Sequence, residues 1–138
     1  MIAYVTVGAD DIIAAQRFYT AFLPELGYSV RKGPEGLSFV LPPAPDQRAA
    51  LPDFYVKPTF DGRPASGGNG TMIAFEAQDQ QHVRRLHAAG LMAGGSDEGA
   101  PGFRAAYGPS FYVGYLRDPQ GNKIALFSSA AHDPKRDD

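Results

Sequence analysis

The chain contains no cysteine, which excludes disulfide scaffolds, thiolate metal centres and cysteine nucleophiles at the outset. No apolar run approaches the length that crosses a bilayer. The N-terminus also lacks the basic segment and following apolar stretch of a signal peptide. Neither sign of charge dominates. The formal charge is -2 at pH 7, and lysine and arginine are scattered, so no basic field draws nucleic acid or anionic lipid and neither is expected as a partner. Dense charge is confined to the tail HDPKRDD, and residues 129–138 read as a polar, solvated terminus. With no targeting segment, the expected location is the cytoplasm.

Histidine is scarce. His82 and His87 stand five apart on an expected helix, about 140° apart around its axis, so they cannot converge on one ion. His132 lies in the polar tail. All three read as surface or structural residues, and the carboxylates Glu35, Glu76 and Glu98 are dispersed.

What remains is an ordinary globular chain of 138 residues, 43% hydrophobic and 20% charged, long enough for one domain with a real core. Ile2 to Val7 reads as a buried strand, and Asp10 and Asp11 as caps for a helix with Ala15, Phe18, Tyr19 and Phe22 on one stripe. Pro24 and Gly27 bracket its end. Tyr28 to Lys32, Leu37 to Leu41 and Phe54 to Lys57 follow as strands, with a proline-rich loop before the last of them. After the connector Gly62 to Gly70 the pattern restarts, with Thr71 to Ala77 as a strand, Asp79 as a cap, and an apolar stripe through Val83 and Leu86. A shift of 68 positions pairs Tyr4 with Met72 and Phe18 with Leu86, and makes Asp11/Asp79, Arg17/Arg85, Leu23/Leu91 and Gly27/Gly95 identities. Such a shift marks an internal repeat. Gly94 to Gly108 is expected to be a long loop with little regular structure. Phe111 to Arg117 and Asn122 to Ser128 read as a hairpin across DPQG, with Pro119 at the second turn position and Gly121 in the left-handed conformation.

The segments AQRFYTAFLPELGYSV (Ala15 to Val30) and GAPGFRAAYGPSFYVGYLRDPQGNKIALF (Gly99 to Phe127) resemble the glyoxalase, bleomycin-resistance and extradiol-dioxygenase superfamily, the vicinal oxygen chelate proteins. With the repeated strands, the resemblance covers nearly the whole chain. It implies an α+β fold of two βαβββ modules with curled mixed sheets around a shared cavity. Module one would span 1–60, a connector 61–70, and module two 71–128. It also implies a homodimer, formed by side-by-side or exchanged modules. In metal-dependent members, ligands on the first strand of each module and on the last strand would correspond to Tyr4, Met72 and Ala125, where those members carry His, His and Glu. A fourth falls near Tyr55 or Lys57. A phenol, a thioether and a methyl are not the donor set of a divalent ion. No metal and no other cofactor is therefore expected.

Strand alternation then sets the cavity lining. Ile2 and Thr6 accompany Tyr4, and Ala74 and Glu76 accompany Met72. Pairing Asp118 with Asn122 puts Tyr115 opposite Ala125, with Phe111, Val113 and Phe127 on the same face. These side chains either line a pocket for an apolar or aromatic small molecule or simply fill the space. In the loop GFRAAYGP, Arg104 and Tyr107 are candidate polar contacts. Four functions compete. The first is a metal-free module that binds a small molecule. The second is a metal-independent enzyme with Tyr4 or Tyr115 as acid and Glu76 as base, and the third a lyase or dioxygenase with a metal. The last is an interaction protein with a filled cavity.

Overall fold

Two aspartates frame the architecture. The Asp11 carboxylate accepts from the Ala14 N–H at 3.0 Å and the Asp79 carboxylate from the His82 N–H at 2.7 Å. Each satisfies an amide that the first turn of a helix leaves open. The repeat therefore holds at the caps, 68 residues apart. The computed structural model describes residues 1–43 and 52–137. Most of the proline-rich loop between Pro42 and Pro52 lies outside them.

In chain order the elements are β1 (Tyr4–Gly8), α1 (Ile12–Thr20), a 3-10 turn (Leu23–Leu26), β2 (Ser29–Gly33), β3 (Gly36–Val40) and β4 (Asp53–Lys57). The second series is β5 (Met72–Glu76), α2 (Gln80–Met92), β6 (Ser96–Phe103), a 3-10 turn (Ala105–Tyr107), β7 (Tyr112–Arg117) and β8 (Lys123–Ser128). They form two open four-stranded sheets, β1-β4-β3-β2 and β5-β8-β7-β6, with the same connectivity. In each, the first strand pairs parallel to the last and the remaining pairs are antiparallel. This is the α+β pair of βαβββ modules expected from the sequence.

One core joins the modules. Phe18, Tyr19 and Phe22 of the first helical stretch are fully buried, as are Phe39, Leu86, Leu116, Ile124 and Leu126. Phe75 of β5 packs edge-on against Phe54 of β4, with centroids 5.3 Å apart, and against Phe22 at 6.4 Å. Buried aromatic rings of this size supply much of the apolar area that drives folding.

Two expectations change and a third narrows. The stretch from Gly94 to Gly108, expected as a loop, contains the eight-residue strand β6. As an edge strand it has one partner among the described residues, so Pro101 costs no ladder bond on its open side, and register shifts at Asp97/Gly99 and Gly99/Gly102 absorb its glycines. Of the surface and structural readings open for His82 and His87, burial at 3% and 4% exposure leaves the structural one. The repeat also slips by one residue after the second helix: Gly94, not Gly95, has the positive φ that matches Gly27.

The hairpin turn forms as expected. The Gly121 N–H donates to the Asp118 carbonyl at 2.9 Å, and Gly121 has φ 101°. The Asp118 N–H donates to the Asn122 carbonyl, which puts Tyr115 opposite Ala125. The turn also clasps the first module. The Asn122 amide donates to the Gly8 carbonyl at 2.9 Å, the Asp10 N–H to Gln120 Oε1 at 2.8 Å, and the Tyr19 hydroxyl to Asp118 at 2.6 Å.

Candidate functional site

The β5–β8–β7 register sorts the expected residues into rows on the face opposite the core. Met72, Lys123 and Arg117 form one row, Ala74, Ala125 and Tyr115 the next, and Glu76, Phe127 and Val113 the third. Val113 and Ala125 are 1% exposed yet lie outside the core cluster, so they form a floor beneath larger neighbours. Phe111 stacks on Phe127 with centroids 5.5 Å apart and planes at 18°, and Tyr107 meets Phe111 edge-on at 5.3 Å. The second sheet thus brings Met72, Glu76, Val113, Tyr115, Ala125 and Phe127 onto one face, with Phe111 and Tyr107 extending it.

Tyr4 stands elsewhere. It is 61% exposed and packs on Tyr55, 5.4 Å away in its own sheet. Tyr55 pairs with Thr6 as Ala125 pairs with Ala74, so Tyr55 rather than Lys57 is the repeat equivalent of Ala125. The Lys57 ammonium lies 5.1 Å over the Tyr55 ring and 3.5 Å from Glu35. Tyr4 and Glu76, weighed as acid and base, belong to different sheets.

Arg104 follows β6 directly. Its guanidinium donates to the Ala100 carbonyl at 2.9 Å and the Phe103 carbonyl at 3.1 Å, and lies 5.3 Å from the Tyr115 ring centroid. The Lys123 ammonium lies 5.0 Å from the same centroid. Lys123 escaped the sequence reading, although the two-residue alternation that placed Ala125 and Phe127 on this face places Lys123 there too. The face is consequently less apolar than expected.

The residues at the positions matched to metal ligands do not fit a divalent ion. Ala125 is a buried methyl, Met72 a thioether, and Tyr4 and Tyr55 are phenols. The hydrogen bond to Asp53 and the nearby Asp53 and Tyr4 raise the Tyr55 phenol above its ordinary value, away from the phenolate a metal would need. Among the described residues, no group of three or more His, Asp or Glu could hold a metal ion. The buried histidines serve the scaffold. His82 Nδ1 accepts from the Gln78 N–H, and His87 Nε2 lies 3.1 Å from the Tyr115 carbonyl.

A concavity of about 610 Å³ lies between the modules, against Glu25, Tyr28, Leu41, Phe75 and Glu76. Burial first, and then Asp53, raise the Tyr28 phenol above its ordinary value. Pro52, at the margin of the undescribed loop, also lines it.

Two open sheets with matching β-α-β-β-β connectivity define a paired-module protein of the vicinal oxygen chelate fold. A glyoxalase/bleomycin resistance protein from Albidiferax ferrireducens T118 is 33% identical, matches over 93% of this chain and 98% of its own, and superposes with a TM-score of 0.77. The chain belongs to the glyoxalase/bleomycin resistance/dioxygenase superfamily. A glyoxalase-related enzyme from Fulvimarina pelagi, 17% identical over 93% of this chain and 87% of its own, shares the fold with a TM-score of 0.64. So does a superfamily enzyme from Burkholderia phytofirmans PsJN, 17% identical over 93% and 98% of the two chains, with a TM-score of 0.65. No family model and no curated protein matches the chain. Among the described residues, no helix is long and apolar enough to cross a membrane.

Proposed function

We propose that this chain is a metal-free, small-molecule-binding member of its superfamily. Its ligand is apolar or aromatic and lies on the face of Tyr115, Ala125, Val113 and Phe127, with Phe111 and Tyr107 at its edge. The observation that carries this reading is the donor set: a phenol, a thioether and a methyl replace hard ligands, while a stacked aromatic pair flanks a recessed floor. The relative from Albidiferax ferrireducens carries the name glyoxalase/bleomycin resistance protein. Met72, 44% exposed beside the floor, adds an adaptable surface suited to loose selectivity.

Two measurements test it. Elemental analysis of protein purified without chelator is expected to find no stoichiometric divalent ion, and one Zn, Ni, Mn or Fe per chain would overturn the metal-free assignment. A thermal-shift screen of aromatic compounds is expected to yield stabilising hits that persist in EDTA and disappear in Tyr115→Ala. Hits abolished by EDTA, or none at all, would sink the reading, and turnover of a hit would replace it with a metal-free enzyme. We propose further that the chain acts as a cytoplasmic homodimer, which would cover Tyr4 and the fully exposed Phe60.

A further inference from the structure

Two cations, Arg104 and Lys123, lie close to the Tyr115 ring on the ligand face. Among the described residues, no carboxylate lies within ion-pair distance of Arg104 or Lys123. Other cations divide: Arg117, beside Lys123 in the same row, is held by Glu98, Lys57 by Glu35 and Arg85 by Glu25, whereas Arg17, Arg31, Lys32 and Arg84 have no carboxylate within ion-pair distance among the described residues. It is the place of Arg104 and Lys123 about one ring that sets them apart. Yet the formal charge of the whole chain is -2, so carboxylates are not in short supply.

Arg104 is also held in place. Its two backbone acceptors fix the guanidinium without neutralising it. A Cβ at Gly99 would stand 3.2 Å from one terminal nitrogen and 2.9 Å from the Tyr115 ring, and a Cβ at Gly102 3.3 Å from the other nitrogen. The two glycines of the bulged strand therefore open the trough in which the guanidinium lies. A pre-set guanidinium retains donors in a planar fork that suits an oxyanion. Lys123, on the other flank of Tyr115, also borders a hollow of about 590 Å³ with Thr71, Met72 and Arg117.

We propose that Arg104 and Lys123 form an anion-recognition pair around Tyr115, and that the ligand is an acid: an apolar or aromatic body bearing one carboxylate or phosphate group. This rests on the small-molecule reading and adds the ligand's charge to it. Against a low-dielectric floor such an anion interacts more strongly than in water, and each cation contributes separately.

The test uses three probes with the same ring system: 2-naphthoate, 2-naphthyl phosphate and the neutral 2-naphthamide, titrated calorimetrically into the intact protein. At least one acid is expected to bind on the order of tenfold or more tighter than the amide, and the two acids distinguish carboxylate from phosphate. Arg104→Gln and Lys123→Gln should each remove about tenfold of that acid affinity and leave amide binding within about twofold. Added NaCl should weaken acid binding and spare the amide. Amide binding as tight as acid binding overturns the proposal while leaving the small-molecule reading intact, as does acid binding that both variants retain. If none of the three binds, both fail. Amide binding by the variants also serves as the control for folding, since a misfolded variant would lose every probe.

Discussion

At the scale of single residues, one buried carboxylate ties the last hairpin to the first helix. Asp118, 3% exposed, accepts from the Gln120 and Asn122 N–H groups, the Asn122 amide and the Tyr19 hydroxyl. DPQG announces a turn, but nothing in the motif says that its carboxylate reaches a helix 99 residues earlier in the chain. Tyr19→Phe is expected to lower unfolding free energy by about 1–3 kcal/mol, measured by urea denaturation, because a buried carboxylate loses a donor. The same pair bears on pH. Burial, and then Asp118, hold the Tyr19 phenol well above its ordinary value. The unfolded chain gives up that proton near pH 10 while the folded chain resists. The contribution is therefore complete below about pH 10 and is lost as pH rises beyond it. The urea midpoint should fall more steeply above that pH in the native chain than in Tyr19→Phe. Equal slopes would remove Tyr19 from the account. The histidines teach the converse lesson. His82 and His87 stay open in sequence between surface and structural roles because burial of a polar ring depends on partners, here Gln78 and the Tyr115 carbonyl, that only the fold supplies.

At the scale of elements, what was legible was what local chemistry decides. Asp11 and Asp79 cap helices because a short carboxylate suits that position wherever a helix follows. Period-two alternation put Val113, Tyr115, Ala125 and Phe127 on one face without any long-range information. Strand β6 was illegible for the opposite reason. SDEGAPGF has little intrinsic preference for extended pairing, and its ladder with β7 is imposed from outside. Two glycines test the distinction. Gly121→Val, at φ 101°, is expected to cost about 1 kcal/mol or more through backbone strain alone. Gly95 has no positive φ, but a Cβ there would stand 2.5 Å from the Phe18 ring and 2.9 Å from the Gly90 carbonyl. Gly95→Ala should therefore cost on the order of 1–3 kcal/mol through crowding. Melting temperatures unchanged in either variant would contradict the assigned cause. The candidate site was legible as a face but not as a charge pattern, since Arg104 reaches Tyr115 only because Gly99 and Gly102 leave a trough.

At the scale of the whole molecule, the apolar side chains exposed outside the ligand face set the expectation for assembly. Ile2, Tyr4 and Phe60 are all exposed large apolar side chains. Their cover by a second copy should appear as a dimeric mass in light scattering at micromolar concentration. A monomer there would leave these side chains open and the homodimer unsupported. The clasp at the hairpin turn has another consequence, for how the protein comes into being. Gly8 and Asp10 are bonded by Asn122 and Gln120, partners 114 and 110 residues later. During synthesis, the end of β1 and the Tyr19 hydroxyl must wait until Asp118, Gln120 and Asn122 have left the ribosome. The first half is complete in sequence long before it can be complete in structure, and its aromatic core stays unsealed throughout that interval. A nascent chain halted before Asp118 is thus one that proteases and chaperones should find open, and the last hairpin is the piece that closes it.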